Sequence, residues 1–230
     1  MYKIETHLHT VYSSHCGHLD AETLVTEYRN KGYHGIIVTD HFNRYNCDWR
    51  GADYSRPEHA VELFQESYRR LLEAAAPQGM KIYKGAEIRF DGSDNDYLLI
   101  GYPDWLLHDA DRVFKDGLAA FSRRCRQTDA LLIQAHPYRG GCTPADPQYL
   151  DGVEVLNMHP GHLHHNNNRK TLEYAQRWPE LIRISGSDCH QTHHMAQGGI
   201  IASWLPENEA ELVKLLRSKN YELIGSFDRK

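Results

Sequence analysis

The sequence lacks the features that mark several common classes of protein. None of its five cysteines belongs to a C-x-x-C pair, and an odd number of widely spaced cysteines does not fit a disulfide framework or a zinc ribbon. No apolar run approaches the ~18 residues that a membrane span needs, and no block of like charges occurs. These absences argue against a disulfide-stapled domain, a membrane-spanning chain and a nucleic-acid-coating surface.

Catalytic motifs that depend on one short segment are also missing. The sequence has no G-x-S-x-G nucleophile elbow and no G-x-x-x-x-G-K-[ST] phosphate-binding loop, so neither a serine hydrolase nor a nucleoside triphosphatase is indicated. The first residues, MYKIETHLHT, lack the basic, apolar and small-residue order of a secretory signal. We therefore expect a cytoplasmic protein without membrane contact.

The composition is that of a globular protein with a small negative charge. Hydrophobic residues make up 40% and charged residues 25% of the chain, and no linker-like stretch divides it, which predicts a single domain over residues 1–230. The 26 basic and 31 acidic residues give a net charge of -5, which favours a small partner over long nucleic acid. The oligomeric state is not indicated.

Short apolar runs alternate with longer amphipathic segments along the whole chain. Apolar runs predict strands at residues 3–7, 35–39, 81–87, 97–101, 130–135, 152–156 and 182–187. Helical periodicity predicts helices at residues 20–31, 56–76, 111–128, 168–177 and 207–216. This alternation is typical of a single parallel α/β barrel or a strongly curved parallel sheet.

The sequence contains 16 histidines, and several stand where a predicted strand ends. The carboxyl ends of parallel strands meet on one face of such a fold, so residues far apart in sequence can form one site there. Five predicted strands end in a residue type that binds metals; these residues are His7 and His9, His41, Glu87, His136, and Asp188 and His190. The sequence therefore predicts a metal site on this face.

The spacing of these residues favours more than one cation. Side chains alternate along a strand, so His7 and His9 point the same way, as do Asp188 and His190. Imidazole together with carboxylate suits zinc, iron or manganese, and a lone carboxylate such as Glu87 among histidines is suited to bridge two cations. We therefore expect a binuclear or larger centre.

Taken in order, these residues resemble the PHP (polymerase and histidinol phosphatase) superfamily. The resemblance rests on H-x-H-T at residues 7–10, His15, T-D-H at residues 39–41, Glu87, A-H-P at residues 135–137 and S-G-S-D-x-H at residues 185–190. It implies a distorted seven-stranded (β/α)7 barrel, similar to a TIM barrel, that hydrolyses phosphate esters with two or three divalent transition metals: zinc, iron or manganese.

The resemblance also implies a ligand set by position. His7, His9, Glu87 and Asp188 match the ligands of one metal, and Glu87 bridges to a second metal held by His136. The third set is His15, His41 and His190. Many members of the superfamily supply a further histidine from the fourth strand, but none occurs here between Glu87 and His108. Asp96, Asp104, a water or nothing takes its place.

Other residues near the predicted site have supporting or structural interpretations. We expect Asp40 to orient a ligating imidazole, and Arg139, Asn157 and Arg169 to bind substrate. The predicted specificity loop covers residues 43–54. The remaining polar or sulfur-bearing residues are expected to be surface or packing residues: His34, His59, His108, His193 and His194, a solvated loop at residues 159–165, and Cys16 and Cys189 in packing.

The predicted reaction is hydrolysis of small phosphate monoesters, as by a histidinol phosphatase. Clustered cations neutralise phosphate oxygens and lower the pKa of a bridging water, so that no amino-acid nucleophile is needed. Glu87, His41 and His190 are the expected catalytic residues, with His41 or His190 donating a proton to the leaving alkoxide if its metal is absent.

Two alternatives come from other functional classes. One is a metal-dependent amidohydrolase, although Lys84 is poorly placed to be its metal-bridging lysine. The other is a non-catalytic, metal-stabilised regulatory module.

Overall fold

The computed structural model describes residues 1–227, in which ten strands form one strongly curved sheet. The strands are β1 (Tyr2–Glu5), β2 (Tyr33–Val38), β3 (His41–Phe42), β4 (Lys81–Arg89), β5 (Asp96–Ile100), β6 (Leu131–Gln134), β7 (Gly152–Asn157), β8 (Ile182–Gly186), β9 (Gly199–Ala202) and β10 (Tyr221–Ile224). The helices are α1 (Ala21–Asn30), α2 (Arg44–Trp49), α3 (His59–Phe64), α4 (Glu66–Ala75), α5 (Ala110–Cys125), α6 (Asn168–Arg177) and α7 (Glu209–Ser218). None of them is long and apolar enough to cross a bilayer.

The sheet is mixed, which corrects the expectation of seven parallel strand–helix units. Its order is β10-β9-β1-β2-β4-β5-β6-β7-β8, and β3 pairs with β4 beside this path. A strand forms in each of the seven predicted segments, and β3, β9 and β10 are additional. Strand β5 runs antiparallel to β4 and β6, and β9 runs antiparallel to β1 and β10. The result is an α/β fold with a nearly closed, barrel-shaped sheet.

The short connection after β4 is the reason that β5 is reversed. A parallel crossover needs a dozen or more residues, whereas residues 90–95 form a turn around Gly92, whose φ is 73°. The turn pairs Arg89 of β4 with Asp96 of β5. The beginning of β5 therefore lies at the edge of the sheet where the parallel strands end, and its end lies at the opposite edge.

Apolar side chains fill the barrel below this edge, and the helices cover its outside. Helices α1 and α4 pack on one outer side and α3, α5 and α6 on another. Asp20 caps the N-terminus of helix α1, and its side chain accepts a hydrogen bond from the Thr23 amide. The interior cluster includes Ile4, Ile37, Tyr83, Leu98, Ile133, Ile184 and the buried face of α7.

Contacts between the ends of β1 and β8 close most of the remaining gap. Leu8 and Cys189 form a parallel bridge, and the His9 amide donates to the Cys189 carbonyl at 2.9 Å. Behind this bridge, the buried carboxylate of Glu5 accepts hydrogen bonds from the amides of His7 (3.1 Å) and Ser187 (2.9 Å). The two segments that carry metal-ligand types are thus held side by side.

A close backbone approach at Gly198 predicts the cost of disturbing this closure. A Cβ atom on Gly198 would overlap the carbonyl of Gly186, at the end of β8. We expect Gly198→Ala to lower the free energy of unfolding by about 1–3 kcal/mol, as overpacking does, measured by urea denaturation. The control is Gly140→Ala, because a Cβ there meets nothing within 4 Å. Equal stability of the two variants would contradict this account.

Candidate metal centre

The carboxyl edge of the barrel gathers imidazole and carboxylate groups from distant parts of the chain. Seven such side chains lie there: His7 and His9 after β1, His41 at the start of β3, Glu87 in β4, His136 after β6, and Asp188 and His190 after β8. Five of the seven are at most 2% exposed. All but one of the eight ligands expected from the sequence, His15 being the exception, therefore lie together.

Glu87 lies at the middle of this group and contacts four imidazoles. Its Oε1 is 3.1 Å from Nε2 of His136 and 3.4 Å from Nε2 of His7. Its Oε2 is 2.9 Å from Nδ1 of His41 and 3.4 Å from Nε2 of His9. Each carboxylate oxygen thus faces a different pair of histidines, which is the geometry expected of a bridging carboxylate.

Asp188 faces the other side of the H-x-H pair. Its Oδ1 is 3.3 Å from Nε2 of His9, 3.5 Å from Nε2 of His7 and 3.7 Å from Nε2 of His190. Burial alone would raise the pKa of Asp188, but the charges of Arg139 and His7 hold it well below its ordinary value. Burial would likewise raise the pKa of Glu87, and its histidine neighbours, first His41, hold it well below the ordinary value. Both carboxylates are therefore ionised.

The arrangement fits metal ions better than a network of hydrogen bonds. Nε2 of His7 and Nε2 of His9 are only 3.2 Å apart. Within residues 1–227, Nδ1 of His41 and Oε2 of Glu87 are buried and make no hydrogen bond, although they lie 2.9 Å apart. Within the described residues, five sets of possible ligand atoms each lie within 4.8 Å of one another: His7, His9 and Asp188; His7, Glu87 and His136; His9, Cys16, His41 and His190; His41, Glu87 and Asp96; and His159, His190 and His194. Imidazole and carboxylate donors of this kind suit divalent transition metals.

Comparison with protein families gives the site its context. The sequence matches the family model of the PHP domain over residues 5–229. This chain belongs to the PHP family. No curated protein sequence matches it significantly.

Solved structures share the fold of this PHP chain at low sequence identity. A two-domain protein from Bacteroides vulgatus containing a predicted PHP-like metal-dependent phosphoesterase has a TM-score of 0.63 and 17% identity, covering 97% of this chain and 64% of its own. PsfC from Pseudomonas syringae has a TM-score of 0.63 and 15% identity, covering 98% and 91%. An amidohydrolase from Chromobacterium violaceum, solved with sulfate and no metal, has a TM-score of 0.54 and 12% identity, covering 92% and 95%. These similarities concern the fold.

An unusual backbone conformation directs the side chains of two candidate ligands towards the centre. His136 and Asp188 have φ angles of 30° and 49°, in the left-handed region that non-glycine residues rarely adopt. Such conformations cost about 1–3 kcal/mol each and persist where the surroundings determine them. The immediate reason at His136 is that its amide donates to the Glu154 carboxylate at 3.0 Å.

Glu154 in β7 is a functional residue that the sequence analysis missed. Its Oε1 is 2.9 Å from Nδ1 of His7, and its Oε2 accepts from the His136 amide and from Nδ2 of Asn157, both at 3.0 Å. A carboxylate that accepts from Nδ1 leaves Nε2 of His7 free to bind a metal. The available signal was a lone acidic residue in the run GVEVLN, which is otherwise apolar before its final asparagine.

Asp40 lies where an orienting residue is expected, but it reaches the imidazole through a serine. Its Oδ1 accepts from Oγ of Ser14 at 2.5 Å and from the Thr10 amide at 2.7 Å. Oγ of Ser14 is in turn 3.3 Å from Nδ1 of His9. The carboxylate therefore holds the loop that follows β1 and, through Ser14, the His9 ring.

The structure distinguishes the two aspartates considered in place of the fourth-strand histidine. Oδ2 of Asp96 is 3.9 Å from Nε2 of His136, and Asp96 is also paired with Arg89 through both carboxylate oxygens. Asp104 instead accepts from Nζ of Lys84 at 2.5 Å. Because β5 is antiparallel, its first residue and not the segment after its end lies at the site. Lys84 is correspondingly outside the centre.

The structure does not bring His15 into the third set of ligands, which corrects that expectation. Its side chain is exposed and packs edge-on against Trp49 and Tyr45, with ring centroids 5.3 and 5.5 Å away. Cys16 lies in the cluster instead, which also corrects its assignment to packing. Burial alone would raise the pKa of the Cys16 thiol, but His190 and His41 lower it to about 7. Cys189, by contrast, is fully buried among apolar residues.

The three residues expected to bind substrate have different positions. Arg139 lines the cleft, and its guanidinium donates to Asp188 at 2.5 Å and to Asn157 at 2.9 Å. Asn157 is fully buried and donates to Asp188 at 3.1 Å, so it lies beneath this carboxylate. Arg169 is exposed near the start of α6 and does not line the cleft of the described residues.

Two histidines beyond the expected set also line this cleft. His159 and His194 are buried, which corrects the expectation of solvated side chains. Nδ1 of His159 accepts from the Gly161 amide (3.1 Å), and Nδ1 of His194 accepts from the His190 amide (3.2 Å). Burial, chiefly, lowers the pKa of His159 to about 3 and that of His194 to about 4. Each ring is therefore neutral and carries its proton on Nε2, as a hydrogen-bond donor.

The cleft over the centre has two adjoining lobes. One, of about 540 Å³, lies over Glu87, His136 and Asp188. The other, of about 370 Å³, includes residues 43–46 from the expected specificity loop, part of which is helix α2. The lobes share Cys16, His41 and Arg89.

The position of Glu154 predicts the effect of changing it. In Glu154→Gln, the amide NH₂ group faces either His7 Nδ1–H or the His136 amide, so one donor opposes another. We expect metal affinity to fall by about 10–100-fold, measured by competition with a chromophoric chelator. Glu173→Gln, on the exposed face of α6, is the matched control. Equal affinities in the two variants would show that Glu154 does not orient His7.

Proposed function

We propose that this chain is a metal-dependent phosphoesterase that hydrolyses small phosphate monoesters, as a histidinol phosphatase does. The observation that carries the proposal is the contact of one buried carboxylate, Glu87, with four imidazoles from three segments. Membership of the PHP family and the similarity to structures described as metal-dependent phosphoesterases support a metal-dependent hydrolase.

The proposed cofactors are two or three divalent ions of zinc, iron or manganese. His7, His9 and Asp188 would hold one ion, and Glu87 would bridge it to a second ion held by His136. The third ion would lie at His41 and His190. Bound there, the ions would neutralise phosphate oxygens and lower the pKa of a bound water.

Donors around the cleft support an anionic substrate. Arg139 lies at the centre with its guanidinium fixed by Asp188 and Asn157. His159 and His194 offer Nε2–H groups, which suit phosphate oxygens without adding charge. The lobe volumes, about 370 and 540 Å³, match those of small-molecule sites. A small phosphorylated compound is therefore the proposed partner, and long nucleic acid is not.

The more exposed histidines are the proposed proton donors to the leaving group. The side chains of His41 and His190 are 17% and 15% exposed, whereas His7 and His9 are fully buried. If the third ion is absent, either imidazole would be free to protonate the leaving alkoxide. Glu87 would contribute to catalysis as a ligand of the metal ions.

Metal content and substrate class test the proposal together. We expect the purified chain to contain at least about two equivalents of transition metal, and to hydrolyse phosphomonoesters in preference to phosphodiesters and amides, with activity lost to a chelator. Glu87→Gln should lower metal content and turnover far more than His108→Ala, because it removes a charge shared by two ions. Preferential amide hydrolysis would favour an amidohydrolase. Tight metal binding without hydrolysis of any of these would favour a regulatory module.

The unusual second position predicts two classes of metal affinity. Without a fourth-strand imidazole, the ion at Glu87 and His136 should bind more weakly than the ion at His7, His9 and Asp188. We expect His136→Ala to remove the weaker class and leave the tighter class nearly intact in a titration of metal-free protein.

A matched pair of variants then tests the aspartate. Asp96→Asn and Asp104→Asn each break one ion pair with a basic residue, Arg89 or Lys84. Only Asp96→Asn should lower the metal affinity of the weaker class. Equal titrations of the two variants would show that Asp96 does not contribute to this ion.

A further inference from the structure

The third cluster at the carboxyl edge has a sulfur atom where the family resemblance expects an imidazole. The ligand atoms of His9, Cys16, His41 and His190 all lie within 4.8 Å of one another. The His9 and His190 rings stack at 4.4 Å with an interplanar angle of 4°, and the His9 and His41 rings are also 4.4 Å apart. The thiol of Cys16 is therefore surrounded by imidazoles.

His9 does not need to belong to this cluster. Its Nε2 faces Nε2 of His7 at 3.2 Å, and its Nδ1 faces Oγ of Ser14 at 3.3 Å. Both nitrogens are thus committed to the neighbouring ion position and to the orienting serine. Cys16, His41 and His190 remain as an independent set, and all three line the same lobe of the cleft.

The side chain of His15 lies outside this set, although it lines the adjoining lobe of the cleft. Its amide donates to Oδ1 of Asn46 at 2.8 Å, and its ring lies against Trp49 and Tyr45. Asn46 is itself held by Asn43, the N-terminal cap of α2. The turn that follows β1 therefore sends the side chain of His15 towards α2 and that of Cys16 towards the centre.

The other four cysteines do not share this environment. Cys47, Cys125 and Cys189 are buried in apolar clusters. Cys142 is 3.3 Å from the Asp94 carbonyl and 3.9 Å from Nδ1 of His136, the nitrogen that faces away from Glu87. In the described chain, Cys16 is the cysteine that groups with imidazoles as a possible ligand set.

We propose that the Cys16 thiolate, and not the His15 imidazole, is a ligand of the third ion together with His41 and His190. This inference rests on the proposed metal centre and specifies one of its positions. Metal binding would release the thiol proton to solvent, so the bound form is a thiolate. Thiolate and imidazole ligands select zinc or iron over manganese at this position. All three residues line the cleft, so an ion held by them would be accessible to substrate.

Cobalt(II) substitution tests the sulfur ligand without measuring activity. Metal-free full-length chain is titrated with Co²⁺, and the near-ultraviolet thiolate-to-cobalt charge-transfer band is recorded. X-ray absorption of the zinc-loaded chain provides a second readout, since a Zn–S shell lies at ~2.3 Å and a Zn–N shell at ~2.0–2.1 Å. We expect both sulfur signals in the native chain and their complete loss in Cys16→Ser. Circular dichroism verifies that the variant is folded.

Three further variants serve as controls for the identity of the sulfur ligand. Cys16→His should bind cobalt without the charge-transfer band, because an imidazole replaces the sulfur. His15→Ala and Cys142→Ser should retain the band at native intensity.

Each contrary outcome has a distinct meaning. Cobalt binding with no band in the native chain, a band that survives in folded Cys16→Ser, or a band lost in His15→Ala would overturn the assignment of Cys16 while leaving the metal centre in place. Failure of the native chain to bind cobalt or zinc at all would overturn the metal centre itself.

Discussion

The buried carboxylate of Glu87 is the group on which the whole arrangement of the site depends. An ionised carboxylate removed from water loses several kcal/mol of hydration, and it persists only where positive charge or donors offset that loss. Here the compensation comes from four imidazoles on three segments, and Asp188 obtains its own from Arg139 at 2.5 Å. Two anionic groups surrounded by nitrogen donors form a pocket that favours cations, which is why a metal centre accounts for the geometry.

The mixed sheet determines which residues can reach this pocket. Parallel strands deliver their last residues to the carboxyl edge, whereas the reversed strand β5 delivers its first residue. Asp96 therefore lies beside His136 and Asp104 lies near Lys84 at the other edge. One short turn between β4 and β5 thus places Asp96, and not Asp104, beside His136.

A layer of buried acidic residues supports the histidines from below. Glu154 contacts His7 and the His136 amide, Asp40 reaches His9 through Ser14, and Glu5 ties the His7 amide to that of Ser187. Each carboxylate accepts from the backbone of a segment that carries a ligand, so the same groups stabilise the barrel closure and position the imidazoles.

Much of the site follows from the sequence because periodicity and strand ends are local properties. Seven of the ten strands were predictable, and seven of the eight residues expected as ligands lie together, since a ligand type at the end of an apolar run needs only the run to be recognised. The segment of residues 90–95 is too short to hold a helix between β4 and β5. Its length therefore indicated the reversed strand, although the alternation of apolar and amphipathic segments did not. Short strands such as β3, at two residues, give no such signal.

The sequence by itself determined the kind of chemistry: which residues offer imidazole and carboxylate, and at which end of the fold they gather. Tertiary structure alone decided which of two neighbouring residues, His15 or Cys16, faces the centre. The hydrogen bond from the His15 amide to Asn46 of α2 fixes the turn that carries both residues. The tertiary structure also decided that His159 and His194 are buried, since the two loops that carry them meet with ring centroids 4.2 Å apart. Such outcomes depend on contacts between segments far apart in sequence, and no local pattern encodes them.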